Sequence, residues 1–359
     1  MRKKPAVYQV LPGFNTRDAI CNEVLLIRDF FRSRGFKSEV YVDVLRSNHE
    51  KSFQLHKYAS FRPNHDDIIL YHFSVYDRVA RSIPNMKGKW ILRYHNITPA
   101  KFFHRWDSHM SEMLDNGRKL LPELKDRCVH YIADSEFNKA ELETYGIQNI
   151  TILPLIFPLN NMTIDDKEWT QKLSGPKVNI LFTGRIAPNK KQDDIVKAFY
   201  HYHRNLNPDS RLILAGSFDI ENCNYCAYLC NLIRHLNLED AVFMPGKIDD
   251  AKLISLYKTA DLFLSMSEHE GFCIPVVESM KYSIPVLAYK STAVPYTLGS
   301  GGILFSEKDF SAVAEMMHYI IRNRALKEMI ADNQKKMMKK YSNDTNLEKL
   351  NQIMHEYIK

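Results

Sequence analysis

No stretch of this 359-residue chain approaches the roughly eighteen consecutive apolar residues that a membrane-spanning helix requires. Met1-Arg2-Lys3-Lys4-Pro5 runs straight into Ala6-Val7-Tyr8-Gln9-Val10-Leu11, which is too short for the core of a secretory leader. A cytoplasmic location is the expectation. Cysteine is scarce, with six residues, and the isolated Cys21, Cys128 and Cys273 read as reduced thiols. Cys223, Cys226 and Cys230 fall on one face of a predicted helix with no fourth ligand nearby, so a helix face is expected there and a zinc site is not. Short-period repeats, low-complexity segments and Asp-x-Asp triplets are also missing. The Asp-Asp pairs at 165–166, 193–194 and 249–250 sit in a linker or at helix starts, so no metal is expected.

What is present is ordinary globular chemistry, 45% hydrophobic and 25% charged. The length exceeds what one core usually supports, which favours two domains. Charge is unevenly placed: residues 1–150 carry 24 Lys plus Arg against 18 Asp plus Glu, and residues 151–359 carry 25 against 24. The net charge of +7 therefore lies almost wholly in the first half. An anionic ligand, an anionic membrane surface, or merely scattered solvated lysines would each account for it. Nothing points to nucleic acid.

Short apolar runs alternate with helical stretches throughout, the pattern of parallel α/β structure. In the first half, Val7–Leu11, Ser38–Val44, Asp67–Phe73, Lys89–Tyr94, Val129–Ala133 and Asn149–Leu153 read as strands. A helix from about Asp18 to Arg34 carries Ile20, Val24, Ile27 and Phe31 on one face and stops at Gly35. The second half repeats the design with Val178–Thr183, Arg211–Ala215, Ala241–Met244, Asp261–Ser265, Ile284–Ala288 and Gly302–Phe305. The boundaries expected are a first domain at 1–158, a linker without clear period at 159–176, a second domain at 177–340 and a final helix at 341–359.

Two segments of the second half carry chemistry. In Ser267-Glu268-His269-Glu270-Gly271-Phe272-Cys273-Ile274-Pro275-Val276-Val277-Glu278, an apolar strand runs into a turn and Pro275 starts a helix at its expected first position. Backbone N–H groups of Gly271, Phe272 and Cys273 at that helix start suit a phosphate. Glu270 would accept hydrogen bonds from sugar hydroxyls, and Glu278, about one turn into the helix, from a ribose. An E-x7-E spacing is weak by itself, since glutamates are common on solvated helix faces. A second element gives it weight: Val178-Asn179-Ile180-Leu181-Phe182-Thr183-Gly184-Arg185-Ile186-Ala187-Pro188-Asn189-Lys190-Lys191. Here a strand ends in Gly184, and cations five residues apart, Arg185 and Lys190, can clamp a diphosphate.

The order and separation of these elements resemble a family 4 retaining glycosyltransferase of the GT-B architecture, most strongly over about 178–306. That resemblance implies an α/β fold of two Rossmann-like domains facing across a cleft, with the C-terminal helix crossing back to the first. It matches Arg185 and Lys190 to the phosphate-binding cations, while Lys191 stands where glycine is usual. It also matches backbone around Lys247 and Ile248, after Val242–Pro245, to the base-recognition loop.

In the first half, the strand–helix loop around Gly13 matches a backbone segment lying against donor and acceptor, and His95 matches a histidine that touches the transferred sugar. For His95 and His72 a satisfied core role competes with a functional one, as helix capping does for Asp18 and Ser135. Asn96 and Thr98 are further candidates for acceptor contact. Phe102, Phe103 and Trp106, interleaved with Lys101, His104 and Arg105, read either as a core stripe or as an interfacial patch for a lipid-linked acceptor.

The activity implied is transfer of a hexose from a nucleoside-diphosphate sugar, GDP-mannose or a UDP-hexose, to a saccharide or lipid-linked saccharide in surface-polysaccharide or lipopolysaccharide assembly. The expected partners are that donor, that acceptor and, peripherally, an anionic membrane. No cofactor or metal is expected. A noncatalytic sugar-nucleotide-binding subunit and a GT-B phosphorylase or epimerase remain alternatives.

Overall fold

The computed structural model describes residues 5–16, 18–45, 47–159, 162–217 and 223–358. The chain divides into two units, one formed by residues 1–100, 109–158 and 341–359, the other by 101–108 and 159–340. Each holds one wholly parallel sheet covered by helices.

The first sheet contains β1 (Val7–Gly13), β2 (Ser38–Val44), β3 (Leu55–Lys57), β4 (Ile68–Phe73), β5 (Lys89–Tyr94), β6 (His130–Ala133) and β7 (Ile150–Ile152), in the order β3-β2-β1-β4-β5-β6-β7. β3 escaped the sequence reading because three residues, two of them exposed, carry no period. The second contains β8 (Val178–Thr183), β9 (Ser210–Ala215), β10 (Val242–Gly246), β11 (Leu262–Ser265), β12 (Val286–Tyr289) and β13 (Ile303–Phe305), in the order β10-β9-β8-β11-β12-β13. In both, strand order reverses beside the first strand of the unit, opening a crevice at the carboxyl edge where parallel α/β sheets bind ligands. The crevice of the second sheet lies between β8 and β11, the strands that feed the two motifs.

Near-continuous burial of β4, all six residues, follows from helices on both faces. The helix Ala19–Ser33 lays Val24, Ile27 and Phe31 against this sheet, and Asp18 caps it by accepting from the Ile20 and Cys21 N–H groups at 3.0 and 3.2 Å. Capping is thus what Asp18 does. Ser135 does the same for the helix Glu136–Thr144, accepting from Asn138 N.

Segment 159–176 is not featureless. It contains the helix Lys167–Leu173, capped by Asp166 and too short to show a period. The last helix, Asn343–His355, belongs to the first unit, where Leu350, Ile353 and Met354 join Val7, Ile27, Phe31 and Ile91 in one buried cluster. Asn343 Nδ2 donates to the Phe157 carbonyl at 2.8 Å and fixes its start.

Leu350 is fully buried in that cluster, so Leu350→Ala should cost about 2–5 kcal/mol, the range for a leucine cavity. Met329→Ala, at a side chain 56% exposed, should change stability by less than about 0.5 kcal/mol. Urea unfolding followed by circular dichroism checks both, and equal effects would remove the last helix from the core.

Candidate functional site

At the carboxyl edge of the second sheet three strand ends are stitched together by backbone. Gly184 N donates to Ala215 O at 2.9 Å, Gly216 N to Gly246 O at 3.0 Å and Ile186 N to Ser217 O at 3.1 Å. Gly184 adopts φ +139, and a Cβ at Gly216 would lie 1.8 Å from the Gly184 carbonyl oxygen. Only glycine at 216 permits that approach. Gly184 leads to Arg185, which is exposed and has no ion-pair partner among the described residues. The loop then makes a short 3₁₀ turn over Pro188–Lys190.

Lys190 and Lys191 separate cleanly. Lys190 Nζ meets Glu270 Oε2 in a partly buried ion pair, so loops after β8 and after β11 are joined. Lys191 instead takes φ 54, caps the helix Gln192–Asn205 in a left-handed conformation, and turns its ammonium to Asp193 at 3.1 Å and Asp194 at 3.5 Å. Despite burial, which works the other way, those two carboxylates hold its pKa above the ordinary lysine value. The left-handed backbone explains why glycine is usual at this position in the resembling family.

The turn after β11 is braced on both sides. Glu268 N donates to Asn189 O at 2.9 Å, and Asn189 Nδ2 returns a hydrogen bond to His269 O at 3.0 Å. Thr292 Oγ1 accepts from Glu270 N at 2.9 Å, and Thr297 Oγ1 donates to the Phe272 carbonyl. Lys308 bridges Asp194 at 2.8 Å and Glu268 at 2.7 Å.

Cys273, at φ 75, is the residue before the helix Ile274–Lys281. Pro275 therefore occupies the second helical position, not the first. Gly271, Phe272 and Cys273 precede the helix as expected, and the Cys273 thiol is buried, with its pKa raised chiefly by that burial.

Glu278 sits half-buried on this helix, accepting at Oε2 from the Tyr257 hydroxyl at 2.6 Å. Tyr257 OH lies 2.6 Å from Thr183 Oγ1 in turn, tying Glu278 to the end of β8. Burial pushes the Glu278 pKa up to about 7, with the Tyr257 hydrogen bond opposing it. Lys247 is exposed and Ile248 half-buried, just beyond Gly246 at the end of the edge strand β10.

Other expectations change here. Of the three cysteines expected on one helix face, Cys226 and Cys230 lie on the helix Asn224–His235, whereas Cys223 caps it and is paired with Cys226 in a disulfide. Trp106 packs against Tyr225 at 5.2 Å and Tyr228 at 5.3 Å, Phe102 stands 6.0 Å from His269, and Phe103 is buried. Only Phe103 is a core residue; Phe102 and Trp106 are half-buried, and the segment is a 3₁₀ turn over Ala100–Phe102, so neither a helical core stripe nor an interfacial patch describes all three.

In the first unit, Gly13 ends β1, and a Cβ there would touch only Val44 O, at 3.9 Å. No protein atom crowds it. His95 follows β5 with its imidazole 2% exposed, Nδ1 2.8 Å from Asp134 Oδ2 and Nε2 2.9 Å from His72 Nδ1. Arg93, on β5, makes a bidentate ion pair with Glu23 at 2.6 and 2.8 Å. Asn96, at φ 72, donates to Asn138 Oδ1 and Glu141 Oε2. Sequence reasoning missed Glu23, Arg93 and Asp134, whose only trace was an uncommon charge inside apolar runs.

The family model described as glycosyl transferases group 1 matches residues 164–337. The second unit is a group 1 glycosyl transferase domain. The chain is 25% identical over 207 residues to the capsular polysaccharide biosynthesis glycosyltransferase CapM of Staphylococcus aureus, covering 56% of this chain and 52% of that protein. It is 24% identical over 239 residues to the O-antigen chain mannosyltransferase B of Escherichia coli, covering 65% of this chain and 61% of that one. The chain thus spans about half to three-fifths of the length of these curated relatives. The structure of Anabaena HepE in complex with UDP-glucose superposes with a TM-score of 0.74 at 16% identity, over 98% of this chain and 99% of that one. Two parallel-sheet Rossmann-like units in this order are those of the GT-B fold. Among the described residues no helix is long and apolar enough to cross a membrane.

The pKa of Glu278 is raised from 4.5 to about 7, so between those values the folded group holds a proton that the unfolded one has lost. Its contribution to group 1 domain stability is full below about pH 4.5 and lost as pH rises through about 7. Wild type should therefore lose Tm relative to Glu278→Gln from about pH 5 to pH 8. Parallel Tm curves would show that the carboxyl titrates normally.

Proposed function

We propose that this chain is a family 4-type retaining hexosyltransferase. It takes a hexose from a nucleoside-diphosphate sugar, GDP-mannose or a UDP-hexose, and passes it to a saccharide or lipid-linked saccharide hydroxyl in surface-polysaccharide or lipopolysaccharide assembly. The observation that carries the reading is the convergence at one crevice of Arg185, Lys190, Glu270, Glu278 and the start of the helix Ile274–Lys281. The CapM and mannosyltransferase relatives and the UDP-glucose complex of HepE support the substrate class.

Breaking the glycosidic bond places negative charge on the leaving diphosphate. Arg185, Lys190 and the backbone donors at 271–273 supply cations and dipoles for that charge, of which Lys190 is held in place by Glu270. A metal is not required in this scheme. With retention, a donor phosphate oxygen takes the acceptor proton as the acceptor oxygen bonds to the anomeric carbon from the face the leaving group vacates. Glu270, held by Lys190 and Thr292, positions sugar hydroxyls and is not a nucleophile. Glu278, oriented by Tyr257, accepts from ribose hydroxyls. The first unit takes the acceptor, and the chain's net charge of +7 fits a cytoplasmic protein working at the inner face of an anionic membrane.

A thermal-shift screen with GDP-mannose, UDP-glucose, UDP-N-acetylglucosamine and UDP-galactose should show one donor stabilising the chain, unaffected by EDTA. With that donor, Arg185→Ala and Lys190→Ala should each cost on the order of 3 kcal/mol in transition-state stabilisation, roughly a hundredfold in kcat. Lys191→Gly, which suits φ 54, should leave kcat within about threefold. Loss of activity on chelation restored by manganese, or a dead Lys191→Gly beside a normal Lys190→Ala, would contradict the proposal.

A further inference from the structure

Two imidazoles lie edge to edge inside the first unit, and their neighbours reveal how many protons they hold. Gln9 Nε2 donates to the Val24 carbonyl at 2.8 Å, which turns Gln9 Oε1 toward His72 Nε2 at 3.0 Å. An amide oxygen only accepts, so His72 Nε2 carries a hydrogen. At the other end His95 Nδ1 faces the Asp134 carboxylate at 2.8 Å, and it carries a hydrogen for the same reason. Between them, His72 Nδ1 and His95 Nε2 are 2.9 Å apart. Two bare lone pairs facing each other in a buried site would repel and leave both acceptors unsatisfied. One of the two therefore bears a hydrogen as well. Three hydrogens on four ring nitrogens is one more than two neutral imidazoles hold.

We propose that His72 and His95 share one proton as a buried monocation, and that His72 is the positioning residue that keeps His95 charged and oriented. The surrounding charges close the account. Glu23 Oε2 stands 3.7 Å from both facing nitrogens, while Arg93 pairs with Glu23 and approaches Asp134 at 3.3 Å. Two carboxylates, one guanidinium and one shared proton sum to zero, the condition under which ions tolerate burial. Burial, followed by the charges of His95 and Arg93, holds the His72 pKa well below the ordinary value, and His95 is the ring that faces a carboxylate, Asp134, while His72 faces a neutral amide oxygen.

Glu23, His72 and His95 are close enough together to raise the question of a metal. The rings answer it. They are coplanar within 7° with centroids 5.2 Å apart, so with nitrogens 2.9 Å apart both lone pairs point along one line. A cation between them would sit nearer each nitrogen than a metal–nitrogen bond of about 2.0 Å allows, and Arg93 already engages both Glu23 oxygens.

Both His95 nitrogens are thereby committed. If this unit takes the acceptor, as proposed above, His95 is not available to it as a base. That catalytic consequence rests on the transferase reading; the proton count does not.

Long-range ¹H–¹⁵N correlation on the full chain labelled with ¹⁵N-histidine tests the count. His72→Asn, which keeps an acceptor facing His95, and His72→Phe, which removes it, assign the signals. At about pH 7, three protonated nitrogens are expected for the pair, two of them on His95. His72→Asn should retain that signature and His72→Phe lose it, with kcat falling about tenfold more in His72→Phe than in His72→Asn. Two neutral rings with one N–H each in wild type would overturn the shared proton, and that spectrum decides the matter even if a variant does not fold. Equal kcat in the two variants would overturn the positioning role. Because the spectrum needs no turnover, its failure is distinct from a failure to find a donor.

Discussion

A single ion pair, Lys190 with Glu270, bridges the loops that follow β8 and β11 and so closes the crevice of the second unit. Its surroundings exist to hold it in register. Gly216 lets β9 approach the Gly184 carbonyl, which sets where the Gly184–Lys190 loop leaves the sheet. Lys191 absorbs the left-handed backbone and its own pair of aspartates, leaving Lys190 to cross to Glu270. Asn189 fixes the facing turn by two hydrogen bonds, Thr292 by one and Lys308 by an ion pair. Such pairs contribute little at an exposed surface and more where, as here, the carboxylate is buried and the geometry is held from both sides.

Burial of charge serves the first unit differently. Arg93, Glu23, His72, His95 and Asp134 sit on or beside neighbouring strands at the sheet's carboxyl edge, with Gln9 reaching in from β1. Removing any one member would leave a partner charged and unpaired, a far larger cost than the network's net worth.

Much of this was legible in the chain. Twelve of the thirteen strands among the described residues announce themselves as apolar runs, because both faces of a parallel sheet are covered and β-branched residues fill them. The two loops after β8 and β11 could be read because glycine and proline at fixed offsets mark where backbone turns. Gly184 shows a positive φ, and Pro275 stands in the first turn of its helix. What could not be read were relations between distant residues. Glu23 and Arg93 are 70 positions apart, and neither has a motif. The Tyr257 hydroxyl that holds Glu278 looked like one more helix aromatic. Cys223 and Cys226 look like a helix face until the cap is placed, since an N-cap residue leaves the helical path.

The central claim is that Lys190 is shared between a sugar-positioning carboxylate and a donor phosphate. Isothermal titration of wild type and Lys190→Ala with a nucleoside diphosphate and with the matching nucleoside monophosphate addresses it most directly. The account predicts that the variant loses about tenfold in affinity for the diphosphate and little for the monophosphate. Equal losses for both ligands, or none for either, would contradict it.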